Sequence, residues 1–131
     1  MNRLCIISSL ILAISGCQNN QMCFNEATES LVFNNHGFRM LYFTNDDNLE
    51  TYFVLKKAGI GKLTVFKLNN IDTNSVLCKR LGFKDQRLTK IPFEPKSSWT
   101  VSNQSNGDAA DYRIKFYINE SGVFIANKTC N

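Results

Sequence analysis

The sequence is poor in the residues that most enzymes and metalloproteins use for chemistry. It has one histidine, His36, among 131 residues, and no pair of cysteines with the Cys-x-x-Cys spacing of a zinc site. His36 lies in an Asn-Asn-His-Gly stretch that is typical of an exposed turn, and no recognisable triad signature accompanies it. These absences predict a non-enzymatic protein that holds neither a metal ion nor a cofactor.

Two short stretches that might bind ligands are also incomplete. Asp46-Asp47-Asn48 lacks the alternating ligands, the glycine bend and the closing carboxylate of a calcium loop. Gly59-Ile60-Gly61 lacks the remainder of a dinucleotide-binding fingerprint. No cleft signature supports a carboxylate pair for glycoside hydrolysis. We interpret both stretches as turns.

The apolar run from Leu4 to Ile14 is too short to span a membrane, because a spanning helix needs about twenty residues. Arg3 precedes this run, and the small residues Ser15 and Gly16 end it before a polar stretch. This order is typical of a secretory signal peptide. We predict a signal peptide over residues 1–16, a polar tether over 17–21 and a single domain over 22–131.

The end of that segment, Ile14-Ser15-Gly16-Cys17, resembles the bacterial lipobox. The resemblance implies that Cys17 is linked to diacylglycerol and becomes the first residue of the mature protein. Several acyl chains would then anchor the protein durably to a membrane. Gln18, rather than Asp, follows the cysteine, and in the sorting scheme of such proteins this implies the outer membrane, facing the periplasm.

After the tether, short strand-like patterns alternate with turn residues. Residues 112–118 alternate apolar and polar side chains, which is typical of a half-buried antiparallel strand, and residues 123–126 return after a turn. Residues 37–44 carry apolar side chains on both faces, which predicts a central strand covered on both sides. Residues 49–56 and 62–68 predict a further hairpin.

No stretch has a convincing helical pattern. The best candidate, residues 72–81, is rich in β-branched and turn-forming residues and predicts no more than a turn or two. Strands spaced by about ten residues predict an all-β protein, specifically a small antiparallel β-sandwich, immunoglobulin-like, of about seven or eight strands. A small barrel is the alternative. Trp99 and most other aromatic residues are expected in the core rather than in a binding patch.

Positive charge is concentrated in the middle of the chain. Residues 17–55 contain five acids and one base, whereas residues 56–96 contain ten bases and three acids. A basic face can steer an acidic partner, although lysines also protect strand edges from aggregation. Export argues against nucleic acid as a partner. The candidate partner-binding residues are Lys56, Lys57, Lys62, Lys79 and Arg80.

Three cysteines remain if Cys5 leaves with the signal peptide and Cys17 carries lipid. They are Cys23, Cys78 and Cys130. An oxidising compartment would allow one disulfide among them and leave one free thiol. The residues alone leave the pairing open.

The order of these features resembles a family of small periplasmic lipoproteins proposed as immunity proteins for type VI secretion effectors. The shared elements are the lipobox, Met22-Cys23-Phe24 at the first strand, Cys78 in mid-chain and a terminal hairpin over residues 112–125. The resemblance implies a disulfide between Cys23 and Cys78, with Cys78–Cys130 as the alternative. It also implies a monomer that binds a toxin from neighbouring cells and covers its active site or membrane-inserting surface.

Two other functions remain open at this stage. The protein would be an envelope structural lipoprotein, or an assembly component of a secretion apparatus, if its deletion stopped secretion rather than survival. It would be a secreted protein of the eukaryotic type if Cys17 paired with another cysteine. In that case the Asn-x-Ser/Thr triplets at Asn103, Asn119 and Asn127 would be glycosylated.

Overall fold

The computed structural model describes residues 21–84, 87–105 and 112–130, which form antiparallel strands and no helix. The predicted signal peptide and Cys17 lie outside these residues. The strands are β1 (Met22–Asn25), β2 (Ser30–Phe33), β3 (Met40–Asn45), β4 (Thr51–Lys56), β5 (Val65–Lys67), β6 (Val76–Arg80), β7 (Arg87–Leu88), β8 (Ser97–Asn103), β9 (Tyr112–Ile118) and β10 (Phe124–Ala126).

The strands form two sheets that pack face to face. The small sheet has the order β1-β2-β5, and the large sheet has the order β10-β9-β8-β3-β4-β6-β7. The predicted β-sandwich is therefore confirmed, with its strands divided three to seven. The described residues form ten strands rather than about seven or eight, because even short stretches such as Arg87–Leu88 pair with a neighbour.

The core lies between the two sheets and is largely aromatic. Trp99 on β8 is 1% exposed, and its indole Nε1 donates a hydrogen bond to Ser97 Oγ at 2.9 Å. Phe93 packs edge-on against Trp99, with ring centroids 4.9 Å apart, and also contacts Phe116 and Phe124. The expectation that Trp99 lies in the core is confirmed, and its one polar atom is satisfied locally.

Strand β3 is central, as predicted, but among the described residues a second sheet covers only one of its two sides. It pairs with β4 and β8, and Leu41 and Phe43 are fully buried against the small sheet. Met40 and Tyr42 point to the opposite face and are half-buried. Among the described residues, no second sheet packs on the outer face of the large sheet, although Ser102 on that face is only 7% exposed.

The predicted hairpin between residues 49–56 and 62–68 is wrong. The first segment becomes β4 in the large sheet, whereas the second contributes β5 to the small sheet. Both sides of β4 are already occupied by β3 and β6, so β5 pairs with β2 instead. Residues 57–64 therefore cross from one sheet to the other. The helical candidate also resolves into a turn, in which Ser75 Oγ donates to Asp72 Oδ2, followed by β6.

Both predicted disulfide pairings are wrong, because the disulfide joins Cys23 to Cys130. Cys23 lies on β1 at one side of the sandwich, while Cys78 is buried on β6 in the large sheet as a free thiol. After β10 the chain runs alongside β1, where Phe24 N–H donates to Lys128 O at 3.0 Å and Cys130 N–H donates to Phe24 O at 2.8 Å. The disulfide fixes this last segment to the first strand.

Gly37 allows the crossover to pack closely, and alanine there should be costly. Gly37 has φ +66°, and a Cβ atom at this position would lie 2.5 Å from the Leu63 carbonyl oxygen. We expect Gly37→Ala to lower the free energy of unfolding by about 3 kcal/mol, from backbone strain and overpacking together. Gly59→Ala is the matched control, since Gly59 has φ +82° but open space around it, and about 1 kcal/mol is expected there. Urea denaturation measures both, and equal losses would contradict the packing argument.

Candidate partner-binding surface

The basic residues predicted to bind a partner do not form one patch. Lys79 and Arg80 are consecutive on β6, so their side chains point to opposite faces of the sheet. Arg80 Nη2 donates to Glu50 Oε1 at 2.6 Å, and its guanidinium lies 4.2 Å from the centroid of the Phe83 ring. Arg80 is therefore engaged at the rim of the inner side. Lys79 points outward, across from Phe53.

The remaining three predicted lysines lie near the crossover. Lys57 Nζ donates to the Thr73 carbonyl oxygen at 2.6 Å, which ties residues 57–64 to the turn before β6. Lys56 ends β4 opposite the buried Val76. Lys62 is exposed within the crossover itself. These lysines lie at one end of the molecule, away from the Arg80 ion pair, so the basic segment does not act as a unit.

The outer face of the large sheet, here called the open face, carries an aromatic pair at its centre. Tyr42 on β3 is the cross-strand neighbour of Phe53 on β4, with ring centroids 6.4 Å apart. The strand register continues this row across six strands, in the order Arg87, Lys79, Phe53, Tyr42, Ser102 and Arg113. The row therefore places two half-buried rings between basic side chains.

Hydroxyl groups and apolar side chains occupy the rows on either side. One neighbouring row contains Thr51 and Thr44, whose Oγ1 atoms lie 3.2 Å apart, followed in register by Thr100 and Lys115. The row on the other side is apolar and consists of Met40, Leu55 and Leu77. The face thus combines apolar area with hydrogen-bonding groups, as the centre of a protein–protein interface does.

Large apolar side chains also occur on β9 and β10, separated from the central pair by the row of Thr44, Thr100 and Lys115. Tyr117 and Ile125 are cross-strand neighbours and are 41% and 52% exposed. Leu55, at the opposite end, is 38% exposed. The exposed apolar side chains that share this sheet face make it the candidate contact surface for a partner.

The charges on the open face are mainly positive. Lys79, Arg87 and Lys115 point outward from three different strands. The acidic side chain nearest to them in register is Asp46, at the end of β3, and its Oδ1 accepts a hydrogen bond from Thr100 Oγ1 at 2.8 Å. This distribution is complementary to an acidic surface.

Buried polar groups beneath the large sheet are structural. Burial raises the pKa of the Cys78 thiol to about 11, so this cysteine is protonated at neutral pH and is a poor nucleophile. Burial and a hydrogen bond to Glu50 raise the pKa of the Tyr52 hydroxyl. Neither group lies on the open face, because both point inward from β6 and β4.

A groove lies between the two sheets, beside β5. This groove has a volume of about 490 Å³, and its apolar lining includes Phe38, Phe66, Ile71 and Val76. Within residues 21–84, 87–105 and 112–130, no cluster of three or more His, Cys, Asp or Glu side chains is placed to hold a metal ion. The same residues contain no helix long and apolar enough to cross a bilayer.

The chain matches no protein-family model, no curated protein and no solved structure. Its function therefore has to be argued from the arrangement of its own residues.

Sequence reasoning missed the Tyr42–Phe53 pair because strand register was not known. One signal is nevertheless present in the sequence, because residues 37–44 carry apolar side chains on both faces of the strand. That pattern alone favours a covering layer over an exposed face. The opposite directions of Lys79 and Arg80 also follow from the two-residue period of a strand.

Proposed function

We propose that this protein is a periplasm-facing lipoprotein that neutralises a secreted antibacterial toxin by binding it through the open face. The observation that supports this function best is the Tyr42–Phe53 pair, which lies between outward-pointing basic residues on the outer face of the large sheet. Aromatic side chains of this kind anchor protein interfaces, and the surrounding polar residues exclude water from them.

The open face suits inhibition by tight binding. Its side chains project from five hydrogen-bonded neighbours, β9, β8, β3, β4 and β6, so little backbone ordering is required when a partner binds. The basic residues Lys79, Arg87 and Lys115 would steer an acidic toxin towards this face and speed association. Binding alone would block the toxin, because covering its active site or membrane-inserting surface requires no chemistry from the bound protein.

The sequence features of the N-terminal segment support the envelope location. The Ile14-Ser15-Gly16-Cys17 lipobox and the residue after it, Gln18, favour a lipid anchor in the outer membrane. Such an anchor would hold the binding domain in the compartment through which a toxin from a neighbouring cell passes. The Cys23–Cys130 disulfide suits the same oxidising compartment.

A competition assay tests the function directly. Cells that lack this protein should be killed by sibling cells that deliver the matching toxin, and expression of the full chain should restore survival. Unchanged survival of the deletion strain, with the toxin demonstrably active, would rule out an immunity role. A loss of secretion without a loss of survival would instead indicate an assembly component of the envelope.

Charge reversal on the open face tests the proposed contact surface. We expect Lys79→Glu combined with Lys115→Glu to slow association with the toxin by about tenfold or more at low salt, because attraction becomes repulsion. The difference should shrink as salt is raised, since mobile ions screen exposed charges. Stopped-flow or surface-binding kinetics measure the rate. Lys62→Glu is the control, since Lys62 is exposed but lies in the crossover, and a larger effect there would assign binding to that end instead.

A further inference from the structure

Among the described residues, strand β5 has one edge whose backbone groups have no hydrogen-bond partner. Phe33 N–H donates to Thr64 O at 2.8 Å, and Leu68 N–H donates to Glu29 O at 3.1 Å. In this antiparallel register Thr64, Phe66 and Leu68 direct their backbone groups towards β2. The N–H and C=O groups of Val65 and Lys67 therefore point away from the sheet, and within the described residues no hydrogen bond reaches them.

The opposite edge of the same sheet is closed by the chain itself. The outward N–H and C=O groups of Phe24 on β1 are bonded to residues 128 and 130. The Cys23–Cys130 disulfide holds that segment in place. The small sheet therefore has one sealed edge and one open edge, and the open edge offers two donors and two acceptors in strand geometry.

A groove lined by both polar and apolar side chains lies directly beside this open edge. Val65 and Lys67 form one wall, and Asn70 to Ser75 form the other. Phe38, Phe66 and Val76 are buried at its base, and the volume of about 490 Å³ is large enough for several side chains. A strand added to β5 would thus find backbone partners at its edge and the buried side chains of Phe38, Phe66 and Val76 beneath it.

We propose that β5 is a strand-addition site that binds an extended segment of a partner protein. The segment would pair antiparallel with β5 and exchange hydrogen bonds with Val65 and Lys67. The side chain opposite Phe66 points to the same face as Phe66, and therefore into the groove. The geometry selects a segment with an apolar residue at that position and no proline beside it. This site is separate from the open face, and its test does not depend on the toxin.

A peptide taken from the chain itself provides the probe. Residues 28–34, Thr-Glu-Ser-Leu-Val-Phe-Asn, already pair with β5 from the other side, with Leu31 opposite Phe66. The same sequence as a blocked heptapeptide should add to the open edge of the ¹⁵N-labelled full chain. At about three times its Kd, the peptide should slow water exchange of the Val65 and Lys67 amides about fourfold, because only about a quarter of the protein is then unoccupied. The exchange rate of the Phe66 amide should not fall in this way, because that amide is already hydrogen-bonded to β2.

Two variants at one position separate backbone pairing from side-chain contact. Val65→Pro removes an N–H that β2 does not use, so the fold should persist while peptide binding is lost. Val65→Thr keeps the N–H and the branched side chain and should retain binding within about threefold, because the backbone supplies most of the affinity in this mode. Thermal unfolding of both variants checks that the domain is intact.

Several outcomes would overturn the proposal. Exchange rates that stay unchanged at saturating peptide, or that change along β1 or β10 instead, would exclude β5 as the site. Equal binding by Val65→Pro and the parent protein would show that the backbone edge is not used. Self-association that Val65→Pro abolishes would assign the edge to a second copy of the chain.

Discussion

Serine at both Cys23 and Cys130 is expected to lower the free energy of unfolding by about 4 kcal/mol. The disulfide joins residues 107 positions apart, so it restricts almost the whole unfolded chain. Its loss would also free residues 128–130 from β1 and leave the outward N–H and C=O groups of Phe24 without partners. Both effects destabilise the side of the sandwich where the two sheets meet.

Urea denaturation with and without a reducing agent measures this loss. Reduction should lower the stability of the native protein to that of the double variant, and should leave the double variant unchanged. Cys78→Ala is the control, because it removes the buried thiol and keeps the disulfide, so reduction should still destabilise it. A double variant that remained sensitive to reduction, or that lost less than about 1 kcal/mol, would contradict the assigned pairing.

Cys17→Ser is expected to abolish fatty-acid labelling and to release the protein from the membrane fraction. Serine has no thiol, so it cannot form the thioether that the resemblance of residues 14–17 to a lipobox implies, and the proposed anchor would be absent. The loss of membrane association should be nearly complete. Stable anchoring requires more than one acyl chain, and all of these chains would be carried by the terminus that begins at Cys17.

Metabolic labelling with a fatty-acid probe, followed by fractionation of the envelope, measures both properties. Cys5→Ser is the matched control, since Cys5 lies within the predicted signal peptide and its loss should leave labelling intact. Label that persisted on Cys17→Ser would refute lipidation at that residue. Recovery of the native protein in the inner membrane would refute the sorting inferred from Gln18.

Local patterns predict those parts of the fold in which neighbouring strands in the chain are also neighbours in the sheet. Residues 112–118 and 124–126 form the expected hairpin because strict alternation sets both the strand and its buried face. The central position of β3 also follows from its apolar side chains. In each case a pattern that fits within ten or so residues determines the outcome.

The other features of the fold depend on which distant segments of the chain compete for the same strand edge. Residues 57–61 have the composition of a hairpin turn, but β6 occupies the side of β4 that a hairpin partner would need. The disulfide depends in the same way on where β1 and residues 127–130 meet, and no spacing rule for three cysteines contains that information. The row on the open face depends on register across six strands, and a single mis-assigned pair would separate its basic residues from the Tyr42–Phe53 pair.

The disulfide between β1 and the segment after β10 also constrains the order in which the protein can fold and be oxidised. A chain synthesised from its N terminus exposes Cys23 first, Cys78 next and Cys130 only when almost every other strand has appeared. Oxidation that kept pace with synthesis would therefore join Cys23 to Cys78, a pairing that the finished sandwich excludes. The Cys23–Cys130 disulfide can therefore form by two routes. Either oxidation occurs only after the last residues have appeared, or thiol–disulfide exchange releases Cys78 from a first disulfide with Cys23. In both cases Cys78 ends as a buried free thiol.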